Sequence, residues 1–126
     1  MLDVDNFKNI NDTFGHKSGD EVIIALGQLL KKETREADCV SRYGGDEFVL
    51  VMPEMTKEHA FQRAEIWRRA FSMIRPLNNQ KDFFFTISIG IAVYPTDGMT
   101  NDMLLIKADD ALYMAKQSGR NRTCTF

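Results

Sequence analysis

The run Cys39-Val40-Ser41-Arg42-Tyr43-Gly44-Gly45-Asp46-Glu47-Phe48-Val49-Leu50-Val51-Met52 holds two strand-like stretches, Cys39–Tyr43 and Glu47–Met52, on either side of a glycine pair. A Gly-Gly step between two such runs is a strong hairpin signal. Upstream, Val22, Ala25, Leu26, Leu29 and Leu30 recur at helical spacing, with Ser18 and Glu21 spaced as a capping box. A shorter helical piece, Asn6–Phe14, stops at Gly15. Downstream, Ala60, Ala64, Trp67, Phe71 and Ile74 form a stripe between an N-cap at Thr56 and a breaker at Pro76. Phe83, Phe85, Ile87, Ile89, Ile91 and Val93 alternate with smaller or more polar residues, the pattern of a long half-buried strand. A last stripe, Leu104, Ala108, Ala111, Leu112 and Ala115, ends at Gly119, and Met1–Val4 and Arg122–Phe126 read as short outer strands. The order is strand, two helices, hairpin, helix, strand, helix, strand. A hairpin inside an otherwise alternating pattern implies an α+β fold, a largely antiparallel sheet flanked by helices, rather than a doubly wound one.

The 126 residues suit one domain, and no repeat or low-complexity linker divides them. Sixteen Lys and Arg against eighteen Asp and Glu give a formal charge of -2, which argues against a general nucleic-acid binder. No apolar run approaches the roughly 18–20 residues that cross a bilayer, and the start lacks the basic and apolar regions of a signal peptide. Cys39 and Cys124 lack metal-ligand spacing and are too few for a disulfide scaffold, so a reducing cytoplasm is expected. The chain starts abruptly on a strand, which suggests a piece of a larger protein.

Carboxylates gather in two places, Asp3 with Asp5 at the end of the first strand and Asp46 with Glu47 at the hairpin tip. Each alone reads more readily as a solvated loop residue. Two pairs on neighbouring strand ends would repel unless a cation lay between them, and oxygen ligands favour Mg²⁺ or Mn²⁺. Mg²⁺ completes its shell with water and substrate phosphate, so the arrangement suits a nucleoside triphosphate. The glycine pair permits positive φ and close approach of a phosphate. Lys8, Asn11, Asp12, His16 and Asp20 follow in a polar stretch. Asn11 and Asp20 are suited to the Watson–Crick edge of a purine, guanine in particular, though either also serves as a turn or cap residue. Trp67 and most of Phe83-Phe84-Phe85 read as packing, and His59 as solvated.

Several of these strings together resemble the GGDEF family, the diguanylate cyclases, over essentially all 126 residues. They are Asp3-Val4-Asp5-Asn6-Phe7-Lys8 with Asn11-Asp12, Gly15-His16 and Gly19-Asp20; Arg42-Tyr43-Gly44-Gly45-Asp46-Glu47-Phe48; Thr86-Ile87-Ser88-Ile89-Gly90-Ile91-Ala92; and Ala108-Asp109, Ala111-Leu112-Tyr113, Ala115-Lys116 and Gly119-Arg120-Asn121. The resemblance implies the nucleotidyl cyclase or polymerase palm fold, a ferredoxin-like arrangement. It implies condensation of two GTP into cyclic di-GMP with release of two pyrophosphates, in a homodimer whose active sites face each other. Carried over residue by residue, Asp3, the Val4 carbonyl, Asp46 and Glu47 would bind Mg²⁺ or Mn²⁺, with Asp46 also the base for the 3′-hydroxyl. Asn11 and Asp20 would read guanine with His16 nearby, Lys8, Lys116 and Arg120 would contact phosphates, and Arg42 would steady the transition state.

Arg35-Glu36-Ala37-Asp38 matches the family's RxxD motif, which implies an allosteric site for the product cyclic di-GMP. The family often adds a further arginine there, and Ile66 stands at that position, with Arg63 and Arg68 close by. The family also implies an upstream sensory or regulatory domain, with this domain cytoplasmic or the cytoplasmic part of a membrane-attached protein. Its usual N-terminal helix and an Asp-x-Leu-Thr type segment are expected to be missing before Met1, which would leave apolar surface exposed and weaken activity. The alternative is a non-catalytic receptor for cyclic di-GMP or GTP.

Overall fold

β1 (Leu2–Val4) is only three residues long and fully buried, yet it lies at the centre of the sheet. In the computed structural model, residues 1–75 and 83–126 are described. The elements continue as α1 (Phe7–Phe14), α2 (His16–Glu33), β2 (Cys39–Gly44), β3 (Glu47–Val51), α3 (Lys57–Met73), β4 (Ile87–Ile91), α4 (Asn101–Gln117) and β5 (Thr123–Thr125). The strand order is β2-β3-β1-β4-β5. β1 pairs antiparallel with β3 and β4, β2 pairs antiparallel with β3, and only β4–β5 is parallel. The mixed sheet is mostly antiparallel, as expected. The first strand is not outer, because both of its edges are used.

The two faces of the sheet are covered differently. Leu2, Val4, Phe48, Ile87, Ile89 and Ile91 enter one core with Val22, Leu26 and Leu30 of α2 and Ala60, Ala64, Trp67 and Phe71 of α3. Side chains alternate along a strand, so Asp3, Glu47, Ser88 and Gly90 belong to the opposite face. There α4 lies across β4 and β5. A Cβ at Gly90 would run into the backbone of Ala108 and Leu112, so the glycine is what lets helix and strand meet. This double cover explains a difference from the sequence reading. β4 spans five residues rather than Phe83–Tyr94, and all five are buried, so alternation in sequence does not mark a solvent face here.

Helix ends follow their caps in two of three cases. The Thr56 side chain accepts from the His59 N–H, and Gly119 follows α4 with φ 110°. The capping box at Ser18 and Glu21 does not form. α2 begins at His16 with Gly15 (φ 84°) before it, so Ser18 already lies inside the helix. The same Gly15 ends α1 and sets the bend between the two helices. Pro76 lies outside the described residues, while α3 ends at Met73.

Candidate active site

The hairpin tip is tighter than the glycine pair suggests. Gly44 pairs with Glu47, with a register shift between Arg42 and Gly44, so Gly45 and Asp46 form the turn. Neither glycine takes a positive φ. Gly45 instead leaves open space, with nothing within 4 Å of where its Cβ would stand. This is room for a ligand to approach the backbone.

Register then brings the acidic residues together. Asp3 stands opposite Glu47, and the Val4 N–H donates to the Asp46 carbonyl at 3.2 Å. Asp3 is buried, and the Lys116 Nζ of α4 lies 2.9 Å from its carboxylate. Burial pushes the Asp3 carboxyl up to about 6; Lys116 draws it down, while the charges of Asp46 and Glu47 drive it up. Among the described residues, no three His, Cys, Asp or Glu side chains converge closely enough to enclose an ion. The donor chemistry nevertheless fits a hard divalent cation. Asp3, Asp46 and Glu47 offer carboxylate oxygens at adjoining strand ends, Val4 follows Asp3 and bonds to Asp46, and Lys116 pairs with Asp3.

Asp5 departs from the sequence grouping. Its carboxylate accepts from Thr86 Oγ1 at 2.7 Å, Ser88 Oγ at 2.6 Å and the Asn121 N–H at 3.0 Å. It is a structural anchor whose lone pairs are spent on β4 and the loop after α4. The Thr86 and Ser88 hydroxyls at alternate positions beside a buried aspartate were the sequence signal for this.

On the α1–α2 bend, Asn11 packs against Gly19 so closely that any side chain at 19 would collide with it. The Asn11 Oδ1 is buried with no hydrogen-bond partner. A buried orphan acceptor is costly, and a ligand N–H would satisfy it. Asp20, His16 and Lys8 are exposed on the same two helices, and Arg120 is exposed in the loop after α4. Arg42 is not brought to this face. It pairs with Phe48 on the α2 side of the sheet, and its guanidinium donates to the Gly45 carbonyl at 2.6 and 3.0 Å.

A second charged assembly lies beyond the hairpin. The Arg35 guanidinium donates to Asp38 at 2.9 and 3.3 Å and to the Pro53 carbonyl at 3.1 Å, while the Arg35 N–H reaches Asp38 at 2.9 Å. Arg63 of α3 donates to Asp38 at 2.7 Å and to the Glu33 carbonyl at 3.0 Å, with its guanidinium 5.1 Å from the Trp67 ring centre. Burial raises the Asp38 carboxyl, but the bonds from Arg35 and Arg63 outweigh it and hold it at about 2. The sequence placed Arg63 near this site without a role; Ile66 is exposed, and Arg68 points away to Asn121. Beside the assembly lies a cavity of about 520 Å³ whose lining includes Lys31, Thr34, Arg35, Val40, Arg42 and Phe48.

A palm-type sheet with acidic residues at the end of its central strand and at the adjoining hairpin defines a nucleotidyl cyclase class of α+β domain. Residues 1–122 match the family described as diguanylate cyclase, GGDEF domain, and the chain belongs to that family. Diguanylate cyclase A of Treponema denticola is 40% identical over 122 residues, which is 97% of this chain and 33% of that protein. The active GGEEF domain of a diguanylate cyclase from Vibrio cholerae superposes with a TM-score of 0.88 at 35% identity, covering 99% of this chain and 79% of that one. The GGDEF domain of DgcB from Caulobacter crescentus, solved in complex with c-di-GMP, gives 0.88 at 30% identity, covering 98% and 74%. The chain thus spans about a third of the length of its curated relative. No helix among the described residues is long and apolar enough to cross a membrane.

Proposed function

We propose that the chain is the catalytic module of a diguanylate cyclase, acting in the cytoplasm as a homodimer under an upstream sensory or regulatory domain. The observation that carries this is the Asp3–Glu47 register, with Asp46 tied to Val4 at the same strand end. Two GTP would yield one cyclic di-GMP and two pyrophosphates, each 3′-hydroxyl displacing pyrophosphate from the partner's α-phosphorus.

Asp3, the Val4 carbonyl, Asp46 and Glu47 would hold Mg²⁺ or Mn²⁺. When bound, the ion supplies charge neutralisation at the phosphoryl oxygens. Asn11 and Asp20 would accept from the guanine N1–H and N2–H₂, and the orphaned Asn11 Oδ1 supports that assignment. His16 and Lys8 stand on the same helices to meet the ribose and phosphates, with Lys116 and Arg120 opposite. Lys116 has Asp3 as its partner in the structure, and its ammonium would turn to the triphosphate when that arrives. Asp46 would take the proton from the 3′-hydroxyl. Arg42 would act by fixing the turn that carries Asp46, through the Gly45 carbonyl.

Product would inhibit at Arg35, whose side chain is about half exposed, with Asp38 as its brace. The fork of an arginine suits phosphate and the guanine edge. The test is to supply the full-length protein with GTP and Mg²⁺ and to separate the nucleotides. Cyclic di-GMP is expected. Tight binding of GTP or cyclic di-GMP with no pyrophosphate released would favour a non-catalytic receptor instead.

A further inference from the structure

The loop between α4 and β5 has an unusual backbone. Gly119, Arg120 and Asn121 have φ of 110°, 58° and 46° in succession. The first follows from the helix end. The Gly119 N–H reaches Lys116 O at 3.4 Å and the Arg120 N–H reaches Ala115 O at 3.0 Å, the paired bonds of a Schellman cap. That motif accounts for a glycine in the left-handed region. It does not account for two further residues there that carry a Cβ, and such strain persists only where the surroundings impose it.

The surroundings do so from two sides. Asp5, itself fixed by the hydroxyls of Thr86 and Ser88, accepts the Asn121 N–H at 3.0 Å. From α3, Arg68 Nη1 donates to Asn121 Oδ1 at 2.7 Å. Arg68 is in turn held by two bonds of 2.8 Å to Glu65, and Glu65 also accepts from Thr123 Oγ1 at 2.8 Å, one residue beyond the loop. The bonds from Arg68 keep the Glu65 carboxyl down at about 2, so this brace stays charged throughout the neutral range. Asn121 is therefore tied by its backbone to Asp5, just after β1, and by its side chain to α3, and the exposed Arg120 stands next to this anchor, at the end of the cap.

We infer that Arg68, acting through Asn121, is a positioning residue that holds Arg120 in the orientation needed to meet the nucleotide's phosphates. The inference rests on the reading of Arg120 as a phosphate contact. Glu65–Arg68 and Asp5 thus connect opposite faces of the sheet to one cation at the site, and α3 gains a role there that its distance in sequence does not suggest.

A double-mutant comparison of nucleotide affinity on the full chain tests this, with Mg²⁺ present and 3′-deoxy-GTP as the probe, which lacks the attacking hydroxyl and cannot turn over. Arg120→Ala is expected to weaken binding of the probe about tenfold, the order set by one charge-assisted contact. Arg68→Met should lose much of the same factor, Asn121→Ala should behave alike, and Asn121→Asp should retain binding because it keeps the acceptor. Adding Arg68→Met to Arg120→Ala should cost nothing more. Additive losses would mean that Arg68 only supports the fold, and would overturn the positioning role. Parental affinity in both Arg68→Met and Asn121→Ala, beside a weakened Arg120→Ala, would overturn it while sparing the phosphate reading. Parental affinity in Arg120→Ala would remove the phosphate reading and the inference with it. If Arg68→Met does not fold, Asn121→Ala carries the test, with Asn121→Asp as the variant that keeps both the acceptor and the shape of the residue.

Discussion

The strand ends at Asp3, Asp46 and Glu47 and the assembly around Asp38 are built from the same residue types and behave oppositely. At Asp38 one carboxylate accepts from the Arg35 side chain, the Arg35 N–H and Arg63, and its acidity rises until its carboxyl titrates near 2. At the strand ends Lys116 pairs with Asp3, the charges of Asp46 and Glu47 oppose it, and burial drives Asp3 up to about 6. The first region is electrostatically complete and offers the outside only the exposed half of Arg35. The second is short of positive charge and has open space over Gly45. In the proposed function, the strand ends would take the divalent cation that accompanies a polyanionic nucleotide. Completeness marks a brace, and deficit marks a place for chemistry.

Mutation separates the two regions most clearly. Asp46→Ala and Glu47→Ala should each lower cyclic di-GMP formation by about a thousandfold or more, as loss of a metal-binding or base function does, while the melting temperature stays near that of the parent. A variant that lost stability instead would place these residues with the braces. Asp38→Ala should do the reverse. Leaving Arg35 and Arg63 without their acceptor should destabilise the fold by about 2–3 kcal/mol, read from denaturant midpoints. Equal stability would show that the assembly is ornamental.

An effect smaller than that of Asp38→Ala is expected at the exposed end of that assembly. Arg35→Ala should weaken cyclic di-GMP binding about tenfold in calorimetry and leave initial turnover at low product unchanged. Equal product affinity would remove the inhibitory reading. The same assembly should also show itself in pH. The Asp38 carboxyl titrates at about 2 when folded against an ordinary 3.8, so its stabilisation is present above about pH 4 and fades as pH falls toward 2. The stability gap between the parent and Asp38→Asn should close over that window, and a gap that persists at pH 2 would point to packing rather than charge.

Much of this was legible in the sequence, for identifiable reasons. The hairpin, the helical stripes, the Thr56 cap and the Gly119 stop are local features, and local chemistry determines them. β1 looked peripheral because three residues carry no pattern, although its central place is what sets Asp3 opposite Glu47. β4 looked half-exposed because alternation cannot reveal that α4 rests on Gly90. Asp5 looked like a fourth site carboxylate until its three donors, from positions 86, 88 and 121, came together. Arg63 was invisible as the partner of Asp38 because 25 residues separate them. Contacts made by the fold, rather than by the neighbouring residues, are what the sequence withheld.

The most direct test of the account counts pyrophosphate against cyclic di-GMP in the full-length protein, with and without a divalent ion. Two pyrophosphates per cyclic di-GMP, abolished by chelation and by Asp46→Ala, is the result expected. GTP binding with no pyrophosphate released, or undiminished product from Asp46→Ala, would contradict it.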